Sequence, residues 1–349
     1  MKLHSIQYLR ALAALAVVGL HASKRVEDQL PEAALPLFQL GHAGVDLFFV
    51  ISGFIIWFIG RGSQQDPATF LMRRVLRIAP MYWGATLVWL LMVQATGAGW
   101  ISITPEHVIQ SLTFIPHFNP TFPERIWPVL IPGWTLNYEM FFYLVFASML
   151  ILPERQRLLG IVSVMMGLVS LGMVTFPSSA LAQAYTSPML LEFAAGCLVA
   201  ELWFRAQGGP LRNVLMIGLG VSLFAIYGPD VAENDHWSRA LFFGIPAALV
   251  LSGVVGLGTA IPAMPRLEQL GDASYAIYLF HVILLAPAER VWSMLPALHG
   301  SQSGFVFIAV YLAMTCVIGV WIFERVETPM QRSLGKLVSF SKGKQAYEK

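Results

Sequence analysis

Arg10 and His21 stand eleven residues apart in RALAALAVVGLH, an apolar run with nothing else ionisable in it. At about 100° and 1.5 Å per residue, a helix returns both to nearly the same face, roughly 16 Å apart. A guanidinium presents a planar fork to an anion, and an imidazole with a pKa of about 6.5 can take a proton from a hydroxyl near neutral pH. A plainer reading also fits: Arg10 reaches to lipid phosphate and His21 rests at a membrane interface. In HAGVDLFFVISGF, Asp46 reads either as a carboxylate able to orient an imidazole or as a helix cap. Ser52-Gly53 would let two backbones approach closely. In LMRRVLRIAP, Arg74 and Arg77 share a helical face beside Arg73. They suit either a lipid-facing anchor or a clamp on phosphate oxygens.

Glu139 lies one turn into the apolar stretch of GWTLNYEMFFY, which also holds Trp134 and Asn137. An unpaired carboxylate at that depth is destabilising by about several kcal/mol, so it needs an arginine or a cavity. Glu192 in MLLEFAAGC poses the same problem. GDASYAIYLFH carries Asp272, Ser274, Tyr275 and His281. A lone histidine on an apolar face, such as His281, reads first as a packed core residue. Glu327 in ERVETPMQR fits a helix terminus. The two cysteines, Cys197 and Cys316, both lie in apolar runs, so neither a disulfide scaffold nor a cysteine-rich metal site is expected.

These residues must be positioned by elements suited to a bilayer. Of 349 residues, 56% are hydrophobic and only 12% charged, about half the charged share of a soluble domain. Apolar runs fall at about 5–22, 40–60, 79–96, 134–152, 158–176, 187–204, 212–228, 239–260, 273–288 and 304–323, each long enough to approach a span. They predict an all-α integral membrane protein, a bundle of about ten transmembrane helices. Of the Lys and Arg residues, 17 fall on the side of the termini and 5 on the other, so both termini are expected in the cytoplasm. The first run reads as a retained helix rather than a cleaved signal, because no small-x-small cleavage site follows it. The segment 97–133, rich in Pro, Trp and Phe, suggests a re-entrant or interfacial lid on the outer side. A transmembrane domain over 1–335 and a disordered cytoplasmic tail over 336–349 complete the expected organisation. No basic patch of the kind that binds nucleic acid is present.

Taken in order, Arg10 with His21, GVDLFFVISGF, Arg74 with Arg77 before Pro80, GWTLNYEMFFY, SYAIYLFH and the closing Glu327-Thr328-Pro329 resemble the membrane-bound acyltransferase-3 family, and within it the exopolysaccharide acyltransferases of the ExoZ type. The likeness runs through nearly the whole chain. It implies a bacterial inner-membrane enzyme that takes an acyl group, acetyl or succinyl, from cytoplasmic acyl-CoA, with acetyl-CoA the expected donor. The acceptor it implies is a sugar hydroxyl of an exopolysaccharide or other cell-surface glycan, free or lipid-linked. Arg10, Arg73, Arg74 and Arg77 would hold the coenzyme phosphates. His21 would act as base or as a transient acyl carrier, with Asp46 or Glu139 orienting it. Trp134, Asn137, Tyr275, His281 and Glu192 are further substrate or structural candidates. No metal is expected. Membrane lipids are the surroundings, and an extracytoplasmic partner could complete the transfer, since many relatives carry a fused hydrolase-like domain and this chain ends soon after its last span. A glycan or lipid transporter with charges along its pathway is the rival reading, although no repeated halves or paired broken helices support it.

Overall fold

The computed structural model describes residues 3–30, 36–62, 65–97, 101–206, 208–231, 235–294 and 303–336. Among the described residues all regular structure is helical. The first half comprises α1 (His4–Gln29), α2 (Pro36–Gln39), α3 (Ala43–Gly60), α4 (Pro67–Thr96), α5 (Pro105–Leu112), α6 (Trp134–Met149) and α7 (Glu154–Thr175). The second half comprises α8 (Ala180–Tyr185), α9 (Leu190–Arg205), α10 (Pro210–Tyr227), α11 (His236–Arg239), α12 (Ile245–Leu257), α13 (Pro265–Asp272), α14 (Ser274–Ser293) and α15 (Ser303–Ile322).

Every one of the ten apolar runs forms a helix, but fewer are long and apolar enough to cross a bilayer alone. Among the described residues there are eight such spans, or nine if α13 and α14, which meet at 68°, form one. The run ending near residue 152 falls short because α6 stops at Met149 and Leu150 to Leu152 continue in a turn. Its 16 residues reach only roughly 24 Å, less than a hydrocarbon core of about 30 Å. The expected tail lies, beyond Lys336, outside the described residues. Cys197 and Cys316 are unpaired.

Local chemistry sets the helix starts. Asp66 accepts the Thr69 N–H at 2.8 Å while Pro67 occupies the first helical position of α4. Thr104 and Pro105 open α5 in the same way. α3 packs closely on α9. A Cβ at Gly53 would fall 2.0 Å from the Phe193 carbonyl oxygen, and one at Gly196 would fall 2.0 Å from that of Val50. Only glycine on both helices permits this approach, as in other membrane helix pairs. It makes the α3 span, 72% buried, the axis of the bundle, whereas the α10 span is 11% buried and turns Leu211, Leu215, Leu219 and Ile226 outward as a lipid-facing surface would.

Two π-helical turns, Ala240–Gly244 and Phe323–Glu327, interrupt the regular spans, each beside a charged residue that the bundle buries. The segment between α4 and α6 is pinned by its own polar groups. The His107 and His117 ring nitrogens meet at 2.7 Å, and Trp83 Nε1 donates to the Leu112 carbonyl at 2.8 Å. The expected lid is thus, from residue 101 on, an ordered cover docked on α4, with one short helix of its own.

Candidate active site

A cavity of about 200 Å³ opens between α1, α3, α4, α6 and α14. One end is basic: Arg10 from α1 and Arg74 and Arg77 from α4 line it, with Ser274 and Tyr275 from the start of α14. The three guanidinium groups differ in what holds them. Arg77 Nη1 donates to Glu327 Oε1 at 2.7 Å, and Glu327, on the second π-helical turn, is wholly buried. Arg10 Nη1 donates to Gln7 Oε1 at 3.1 Å. Arg74 has no carboxylate partner among the described residues; its Cζ lies 5.5 Å from the Phe70 ring centroid, and its buried Nε has no acceptor. Arg157 and Arg239 also bury an Nε without an acceptor, so what distinguishes Arg74 is its place on the cavity wall beside two other guanidinium groups. Arg73, expected with these, is exposed and stands outside the cavity wall, because successive helical residues point about 100° apart.

Glu139 occupies the middle of the cavity. Ser52 Oγ donates to its Oε1 at 2.9 Å, and the Tyr143 hydroxyl donates to the same oxygen. Two hydroxyls, rather than an arginine, therefore hold this carboxylate. The far wall comes from Val45, Thr135, Leu136 and Tyr278. The Tyr278 hydroxyl lies 3.2 Å from Thr135 Oγ1 and donates to the Pro132 carbonyl at 3.2 Å.

His21 does not line this cavity. Its ring centroid lies 4.9 Å from that of His281, whose ring is in turn 5.8 Å from Tyr278, so two imidazoles stand behind the tyrosine that closes the far wall. His21 Nδ1 donates to the Val17 carbonyl at 2.9 Å and His281 Nδ1 to that of Tyr278 at 2.6 Å. The helix backbone thereby fixes both rings with Nε2 as the basic nitrogen. Glu139 is turned to its hydroxyls, and Asp46 to Arg239.

Asp46 corrects the sequence expectation most clearly. It is wholly buried, and its Oδ2 accepts from Arg239 Nη2 at 2.6 Å. The same nitrogen donates to the His42 carbonyl at 3.2 Å. The neighbouring Glu192, 2% exposed, packs against Gly244 of the first π-helical turn. Pairing with an arginine, the alternative weighed for Glu139, is found at Asp46. Trp134 and Asn137 also stand apart from the cavity: Trp134 packs on Phe49 and Tyr138, and Asn137 is buried. Tyr275 lines it and donates to the Ile78 carbonyl at 2.8 Å.

Sequence reasoning missed Tyr143, Thr135 and Tyr278 as wall residues, took Ser52 only as a packing residue, and did not find Arg239 as the partner of Asp46. Tyr143 was accessible to it, four residues beyond Glu139 on the same face. Among the described residues, no group of three or more His, Cys, Asp or Glu side chains could hold a metal ion.

The comparisons with known proteins agree with one another. A family profile described as an acyltransferase domain, acyltransferase type 3, matches residues 3–324. The chain is 36% identical over 301 residues to the exopolysaccharide production protein ExoZ of Rhizobium meliloti (strain 1021), covering 84% of this chain and 91% of that protein. It is 26% identical over 386 residues to the acyltransferase MdmB of Streptomyces mycarofaciens, covering 96% and 93%. Against the peptidoglycan O-acetyltransferase OatA of Listeria monocytogenes it is 22% identical over 372 residues, which take in 94% of this chain and 56% of that one. No solved structure matches.

Proposed function

The chain belongs to the acyltransferase-3 family, and from that premise we propose that it moves an acyl group from a coenzyme A thioester to a sugar hydroxyl of an exopolysaccharide or other cell-surface glycan. Arg74 carries this reading: inside a membrane-spanning bundle, a guanidinium without a carboxylate partner waits beside Arg10 and Arg77 at one end of an internal cavity. Coenzyme A has phosphates at one end and its thioester at the other, joined by an extended arm. The cavity has matching poles, with a cationic mouth and an imidazole pair beyond its far wall.

In this reading Arg10, Arg74 and Arg77 grip the phosphates. The arm runs past Ser52 and Glu139, and Tyr278, which stands between the cavity and the imidazole pair, turns aside for the thioester to meet the acceptor near His21. The imidazole takes the proton of the sugar hydroxyl as the new ester bond forms, and returns it to the sulfur as the C–S bond breaks. Glu139, held by the Ser52 and Tyr143 hydroxyls, lines the path of the arm between the arginines and the reacting end. Asp46 and Glu192 serve the fold, and Arg73 the surface. The basic end faces the cytoplasm of a bacterial inner membrane with both termini on that side, in keeping with 17 basic residues against 5. A reporter active only outside the cytoplasm, fused after Lys349, should then be silent.

The name ExoZ belongs to an exopolysaccharide production protein, and OatA acts on peptidoglycan; here the acceptor is taken as a surface glycan of the producing cell. Mass spectrometry of surface polysaccharide from cells with and without the gene tests this. An acyl mass present only with the gene is the expected result, and identical spectra would overturn the proposal.

A further inference from the structure

Ser274 opens α14 at the cavity wall, and its side chain is unengaged. The residue is wholly buried, and its Oγ has no hydrogen-bond partner. Among the described residues only Thr315 leaves a buried hydroxyl in the same state, and Thr315 does not line the cavity. Ser274, Tyr275 and Tyr278 do line it, and at about 100° per residue they fall within one arc of roughly 100° on α14. Ala273 and Ile277, on the remaining side of the helix, join the apolar cluster of Ala14 and Val18. Ser274 therefore belongs to the cavity face.

The backbone around it adds to the same polarity. α13 meets α14 at 68°, and the first ladder bond of α14 runs from the Ile277 N–H to the Ala273 carbonyl, so the amides of Ser274, Tyr275 and Ala276 lie ahead of the ladder. They bring the positive end of a 20-residue helix to the cavity wall. The Tyr275 hydroxyl, bonded to the Ile78 carbonyl at 2.8 Å, holds this turn beside the residue that follows Arg77. A free hydroxyl, a helix N-terminus and three guanidinium groups on one cavity all favour an anion.

We propose that Ser274 Oγ donates to a phosphate oxygen of the acyl donor, within the field of the α14 N-terminus, and so completes the grip of Arg10, Arg74 and Arg77. This role rests on the acyl-CoA reading above and deepens it, adding a neutral donor and a helix end to the cations that hold the phosphates.

The test measures affinity for coenzyme A and for inorganic pyrophosphate, with melting temperature, on full-length wild type, Ser274→Ala and Ser274→Asp in detergent. Ser274→Ala removes the donor and should weaken both probes about tenfold. Ser274→Asp puts a carboxylate where a helix N-terminus favours one, so the fold should survive, while repulsion of like charge should weaken both probes at least about a hundredfold. Coenzyme A decides where pyrophosphate alone is too weak to register. Affinities in Ser274→Ala within about twofold of wild type would overturn the proposal. So would losses that follow a lowered melting temperature in both variants, which mark a purely structural residue. Wild type that binds pyrophosphate but not coenzyme A, with pyrophosphate weakened in Ser274→Ala, would overturn the acyl-CoA reading and uphold Ser274 as a phosphate ligand for another donor. Wild type that binds neither probe would overturn both.

Discussion

Arg239 and Arg74 are both guanidinium groups inside the helical bundle, and their surroundings could hardly differ more. Arg239 is matched by Asp46 at 2.6 Å and does not line the cavity between α1, α3, α4, α6 and α14; residues of α3, α9 and the π-helical turn after α11 surround it. Arg74 lines a cavity beside two other arginines and has no carboxylate partner among the described residues; the Nε of both guanidinium groups lacks an acceptor, so the difference lies in the carboxylate and the cavity. A charge that meets its partner within the fold serves the fold, because removing one member strands the other in low dielectric. A charge without a carboxylate partner at a cavity wall is free to serve a ligand instead, which is the role proposed above for Arg74. The contrast separates the intramembrane residues into two classes that sequence position alone does not distinguish.

The contrast can be broken first at His21, which the account places on the ligand side. His21→Ala should lower acyl transfer by at least about a thousandfold, within the range for losing a general base, while coenzyme A affinity stays within about twofold of wild type. Binding and turnover measured on the same preparation separate the two. Arg239→Ala should leave transfer unmeasurable for a different reason: it strands the Asp46 carboxylate and should cost about 3–5 kcal/mol of stability, seen as a collapsed thermal transition in detergent. Arg74→Ala should do the reverse, leaving the transition in place and weakening coenzyme A binding about ten- to a hundredfold. Arg74→Lys should recover only part of that loss, because an ammonium cannot make the paired contact of a guanidinium with phosphate. Unfolding by Arg74→Ala, with Arg239→Ala intact, would invert the comparison.

The sequence made the helices legible, because a bilayer demands long apolar runs and each of the ten runs forms helix. Its count of about ten crossings compares with eight or nine helices, among the described residues, that are long and apolar enough, since apolar length continued through the turn at Leu150 to Leu152 while the helix ended at Met149. The face-sharing of Arg74 and Arg77 was also legible, being a property of one helix. What could not be read was which helix each face meets. Asp46 and Arg239 are 193 residues apart, and Arg77 and Glu327 are 250, so nothing local announces either pair. Arg10 and His21 illustrate both cases: their common helix was plain from spacing, but only the packing of α14 shows that Arg10 enters the cavity and His21 meets His281.

The smallest effect is expected in the cover over α4. Burial, with the neighbouring His117, lowers the His107 pKa to about 4. An unfolded segment would bind the proton at about 6.5, so it gains protons relative to the folded one as pH falls between these values. The contribution of His107 is therefore complete above about pH 6.5 and is lost towards pH 4. Hydrogen exchange of residues 105–130 should rise over that range, and the rise should shrink in His107→Gln.

The central claim, that the cavity takes an acyl-CoA and delivers its acyl group to a sugar, is tested most directly by following the label. Purified protein in detergent is given acetyl-CoA labelled in the acetyl group together with glycan extracted from the producing cell. Label should appear on the glycan in step with free coenzyme A thiol, and stay on the thioester when His21→Ala replaces wild type. Label remaining on coenzyme A with the wild-type protein, as a transporter would leave it, would contradict the account.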